Sequence, residues 1–189
     1  MTAGSRHFAG VEALADGDSI RLAFAGGAPT RPVMGKLRET ESRLKWMDER
    51  ELDLQLCGGW LDAFGYQLEP QEGADWSRFL NETMLKAASS TERVLPLATV
   101  PMQDGVQAAK GDHGNLDDPG LDPFWEAASD LEAPIFIHPM FGSDDARLHD
   151  FGMMNAVGRV TDTSIAVSRL LLRGHPVRFP GLKLIVATG

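Results

Sequence analysis

The stretch Pro134-Ile135-Phe136-Ile137-His138-Pro139 decides how this chain is read. It is a short apolar run that ends in a histidine and is bounded by prolines, which cannot donate to a sheet ladder. An apolar run without polar alternation belongs to a strand covered on both faces. Three further runs are Leu52–Cys57, Val94–Val100 and Leu182–Ala187, and Pro96 weakens the second. The four starts lie 42, 40 and 48 residues apart, which leaves room for a crossover helix each time.

Helical patterns fill those intervals. Lys36–Glu49 places Leu37, Leu44 and Met47 on one face. Pro70–Ala88 opens with Pro70 in its first turn and lines up Trp76, Phe79, Leu80 and Met84. Gln103–Lys110 is a short helical stretch, and Asp122-Pro123 starts a helix carrying Phe124, Trp125, Ala128 and Leu131. Two more stretches lie near Leu148–Val157 and Thr161–Arg173. Apolar strands alternating with helices predict an α/β fold with a parallel sheet, either doubly wound or closed as a barrel. No GxGxxG or GxxxxGK[ST] follows a strand, so the barrel is favoured. A whole barrel takes ~250 residues and at least ~200, so 189 predict an incomplete parallel β/α (TIM-type) barrel, one domain over 1–189. Within it Ser19–Ala25 is a strand closed by Gly26-Gly27, and 1–19 is a weakly ordered N-terminal segment.

The balance of 18 Lys+Arg against 27 Asp+Glu gives a net charge of −9. An acidic chain without a basic cluster lacks the footprint that holds phosphate backbones, so nucleic acid is not an expected partner. No apolar run approaches the ~20 residues that span a bilayer, so no membrane is expected. With Cys57 alone and no signal-peptide core, a soluble cytoplasmic protein is expected.

In a parallel α/β fold the site gathers at the carboxyl ends of the strands. His138 closes its run there, suited to metal ligation or proton transfer, or else simply bonded to nearby backbone. His7 stands without the second His of an HxH pair and reads as a flexible terminal residue rather than a ligand; His113, His149 and His175 read as surface residues. Cys57 has no activating partner nearby and reads as a small buried residue. Trp60, Asp62 and Tyr66 either line a pocket or form an aromatic plug. Asp144-Asp145 could supply acid–base groups, although paired carboxylates in such a loop are usually only solvated.

Eight strings then occur in a telling order: Thr30–Met34, Arg43–Asp48, Trp60–Tyr66, Leu97–Gln103, Asn115–Pro119, Asp122–Trp125, Phe136–Pro139 and Arg178–Lys183. Together, from about Ile20 to Gly189, they resemble the amidohydrolase-related metal-dependent TIM barrels that include aminocarboxymuconate-semialdehyde decarboxylase. The resemblance implies a divalent metal, usually zinc, at the barrel mouth, and a small carboxylated or carbonyl substrate as partner. It also implies hydrolase or decarboxylase (lyase) chemistry. It makes His138 the ligand after the fifth strand and His7 the remnant of the HxH pair.

The departures carry their own expectation. Thr188 stands where the family has a catalytic His, and only eleven residues lie where a crossover helix and fourth strand are due. A truncated, internally deleted family member with weak or absent zinc and impaired activity follows. The alternative is a catalytically dead barrel remnant acting as a binding or oligomerisation module. Unpaired sheet edges predict a homo-oligomer in either case.

Overall fold

The computed structural model describes residues 7–17, 19–34, 39–102, 115–139 and 145–187. They fall into two units, Met1–Asp104 and Gly105–Gly189.

The first unit begins with a strand inside the segment 1–19, which is expected to be weakly ordered. β1 (Val11–Asp16) pairs antiparallel with β2 (Ser19–Phe24), with Val11 opposite Phe24 and Asp16 opposite Ser19. Gly17, at φ +56°, lets the chain reverse in two residues. β3 (Val33–Met34) extends this sheet on the other side of β2. Phe24 turns into a cluster with Leu68 and Trp76, and Phe8, Val11 and Leu22 pack around it.

α1 (Thr40–Asp48) buries Met47 completely. It leads into β4 (Gln55–Cys57), which pairs in parallel with β5 (Val94–Pro96), Cys57 facing Pro96. The crossover between them is α2 (Pro70–Ala88). Met47, Cys57, Ala88 and Val94 form one buried cluster, so helix and strands share a core. Arg93 ties the corner: its guanidinium reaches Asp48 at 2.6 Å and the carbonyls of Leu52 and Asp53 at 2.7 and 3.2 Å. Both strands are shorter than the predicted 52–57 and 94–100: β4 starts only at Gln55, and β5 ends at Pro96, after which Leu97 N–H still donates to the Cys57 carbonyl at 2.8 Å.

The second unit repeats the strand–helix–strand plan. A single turn at Pro119–Leu121 leads into α3 (Asp122–Asp130), followed by β6 (Pro134–Ile137). The two predicted helices near 148–157 and 161–173 become a 3-10 turn at Ala146–Leu148, a π-turn at Met154–Gly158 and α4 (Arg159–Leu172), which continues directly from that π-turn. Gly174, left-handed at φ +75°, folds the chain into the short α5 (His175–Arg178). β7 (Lys183–Val186) then pairs in parallel with β6, from Pro134 opposite Lys183 to Ile137 opposite Val186. Asp117, almost fully buried, receives Arg169 at 2.6 and 3.1 Å and Arg173 at 3.0 Å.

The four runs expected to lie parallel do so in pairs. One pair, β4–β5, lies in the first unit and the other, β6–β7, in the second. The predicted helix at 103–110 lies outside the described residues. No described helix is long and apolar enough to cross a membrane.

Candidate active site

Strand ends position the candidate residues. Beyond β4, the turn Leu61–Ala63 carries Asp62 between Trp60 and Tyr66. Arg31 reaches this turn: Nε and Nη2 donate to the two oxygens of Asp62 at 2.8 and 3.0 Å. Its guanidinium also lies 5.6 Å from the centroid of the Trp60 ring. Trp60 and Asp62 are thus brought together, and Asp62 is charge-paired rather than free for proton transfer.

Tyr66 belongs to a different contact set. Its ring lies 5.7 Å from that of Phe64. Burial pushes the phenol above its usual range, partly offset by a hydrogen bond with Thr99. Thr99 itself is fixed by Asn81 of α2, whose amide donates to the Thr99 carbonyl and accepts from the Thr99 N–H, both at 2.8 Å. An open cleft of about 450 Å³ runs beside this pair, lined by Ser77, Arg78, Asn81, Leu85, Thr99 and Val100 among others. Gly65 seats the turn on the core, since a Cβ there would come within 2.9 Å of Trp76.

His7 is exposed, next to Phe8, whose ring meets Trp76 edge-on at 5.0 Å. In the second unit His138 follows β6 directly, at the carboxyl end of the strand, and is exposed. Nδ1 lies 2.7 Å from the Pro139 carbonyl oxygen. A ring nitrogen facing a carbonyl oxygen must donate, so the lone pair of the neutral ring sits on Nε2. The ring stacks on Phe136 at 6.4 Å.

Other candidates are placed elsewhere. Asp145 caps the 146–148 turn through the Arg147 N–H at 2.9 Å; hydrogen bonds from the Arg147 side chain and backbone hold its carboxyl down at about 2. His149 is exposed, as read. His175 is not, and the surface reading is corrected: it is fully enclosed, with Trp125 and Phe179 at 5.8 and 5.5 Å. A polar flank in the sequence did not show that Gly174 turns this residue inward. His113, Asp144 and Thr188 lie outside the described residues.

Among the described residues no three His, Cys, Asp or Glu side chains gather as a metal site. A catalytic zinc normally takes three protein ligands. The described donors therefore do not make up a centre by themselves, and no chemical step is routed through one. Arg31 and Asn81, which hold Asp62 and Thr99, are not among the residues the sequence singles out. Arg31 stands inside the string Thr30–Met34, but its partner is 31 residues away, a distance no local pattern spans.

No family model matches the chain. The chain nevertheless resembles decarboxylases of the amidohydrolase-related kind in sequence and in fold. Among curated proteins it is 28% identical over 181 residues to 2-amino-3-carboxymuconate-6-semialdehyde decarboxylase of Dictyostelium discoideum, covering 84% of this chain and 50% of that protein. Among solved structures, 5-carboxyvanillate decarboxylase LigW of Sphingomonas paucimobilis aligns over 78% of this chain and 51% of its own, at 26% identity and a TM-score of 0.67. IDCase of Metarhizium anisopliae aligns over 96% of this chain and 59% of its own, at 19% identity and a TM-score of 0.72, a likeness of fold. The chain spans about half the length of the curated relative it matches.

Proposed function

We propose that residues 1–189 are part of a TIM-type β/α barrel of a metal-dependent hydrolase or decarboxylase that acts on a small carboxylated or carbonyl substrate. In this reading His138 ligates the metal, with zinc the first candidate, and His7 is a second donor. Trp60, Asp62 and Tyr66 contact substrate, with Asp62 acting through its pair with Arg31. The protein works in the cytoplasm, assembles with copies of itself, and this chain alone turns over slowly or not at all.

The observation that supports the reading is the state of His138. Its Nδ1 is engaged by the Pro139 carbonyl at a strand end, which leaves the Nε2 lone pair available to a metal. A binding-module reading draws on the exposed apolar residues of the two pairs, Leu56 and Leu95 in one, Phe136 and Ile185 in the other. Parallel pairs normally have both faces covered.

Metal analysis after dialysis, with a His138→Ala control, tests the proposal. Zinc retained below one equivalent and lost in the variant, with slow CO2 release from carboxylated aromatic acids, is the expected result. Zinc content that ignores the His138→Ala change would overturn the assignment of His138. No turnover together with no zinc retained by the parent would leave the binding-module reading in the lead.

A further inference from the structure

His175 has no part in the site above. None of its surface reaches solvent, yet neither ring nitrogen meets a well-formed hydrogen-bond partner. Oδ1 of Asp122, on the helix that supplies Trp125, is likewise buried and unpaired. Buried polar atoms without partners are rare and costly, and three on two neighbouring side chains call for a reason.

The charges around the ring supply one. From α3 comes Asp122, whose other oxygen is taken by Arg178 of the same short helix as His175. From the segment before α3 comes Asp117, which is spent on Arg169 of α4 and Arg173 at its C-terminal cap. Three guanidinium groups thus face two carboxylates, and a proton on the imidazole would raise the local surplus from one positive charge to two.

We propose that His175 is an acid-sensitive latch: as a neutral ring it holds α5 against Trp125, and protonation releases that helix. Burial and the Arg178 charge push the ring below its ordinary 6.5, against the weaker pull of Asp122, the Leu170 backbone and Asp117. The unfolded chain therefore takes up the proton first. Stability is complete above the ordinary value, falls as pH drops below it, and levels off beneath the folded value. β7 begins five residues after α5 ends, so release of α5 also frees its pairing with β6.

Denaturant unfolding of the full chain between about pH 7.5 and pH 5 tests this, a window above the carboxylates. The folding constant of the parent should fall by up to tenfold per pH unit, one proton being at stake. His175→Phe should be flat across the window, whereas the exposed control His149→Gln should keep the parent's fall. A parent without pH dependence, or a His175→Phe variant that keeps it, would overturn the proposal. Should that variant fail to fold, NMR titration of the five imidazoles of the parent decides. One ring titrating below the rest supports the latch, and five rings near the ordinary value refute it.

Discussion

Arg31 grips Asp62 with two parallel N–H···O bonds, 2.8 and 3.0 Å long, while lying across the face of Trp60. The fork geometry that matches a guanidinium to a carboxylate fixes both partners at once. A turn that would otherwise hang beyond β4 is therefore held to the segment before β3.

Arg31→Ala should leave the thermal midpoint nearly unchanged, because the pair is solvent-screened. It should instead loosen the turn, and Trp60 emission should broaden and shift to the red as its cationic lid is lost. Arg31→Lys should not restore the parent spectrum, since a single ammonium cannot fork across two oxygens. Unchanged fluorescence in both variants would show that the turn is held by its own packing.

Asp117 anchors α4 through two arginines and is itself almost completely buried. Asp117→Ala should cost about 2–3 kcal/mol; loss of a partner in a buried pair costs ~3–5, reduced here because both arginines are partly exposed. Burial opposes the charged carboxylate, but hydrogen bonds from Arg169 and Arg173 outweigh it and hold the group below its ordinary 3.8. The folded state thus binds this proton less readily than the unfolded one. Its contribution is present above the ordinary value and lost as pH falls through the folded one. Acid unfolding of the parent and of Asp117→Asn should differ in slope only below about pH 4.

Gly181 admits no side chain. A Cβ there would lie 2.2 Å from the backbone oxygen of Ser129, and its N–H donates to the Ser129 hydroxyl at 3.0 Å. Gly181→Ala should cost about 1–3 kcal/mol through forced separation of α3 from the approach to β7. Gly152→Ala is the informative comparison. It meets nothing within 4 Å, so only its φ of +70° is penalised, at roughly 1 kcal/mol. Chemical denaturation of the two variants should rank them in that order.

What could be read from the sequence follows a physical line. The runs at 134–138 and 182–187 are apolar and bounded by Pro or Gly, and β6 and β7 sit inside them. His138 was placed at a strand end because its run stops at a proline, and it is found there. Val11–Asp16 was hidden because Ala13 and Ala15 stand where a strand usually shows branched residues; its pairing with β2 makes it a strand. Burial of His175 is decided by Trp125, fifty residues away, and no local pattern reports it. The Arg31–Asp62 and Asp117–Arg169 pairs are hidden for the same reason.

The parallel pairing of Pro134–Ile137 with Lys183–Val186 has a consequence for synthesis. Strand β6 leaves the ribosome well before its partner, with the whole of α4 still to be made. At roughly 5–20 residues per second, the interval lasts about 2–9 s. Through that time Ile135, Phe136 and Ile137 lack the partner strand they meet in the folded chain. The β6–β7 pair therefore closes late in synthesis, whereas the β1–β2 hairpin, joined by two residues, can close as soon as it is made.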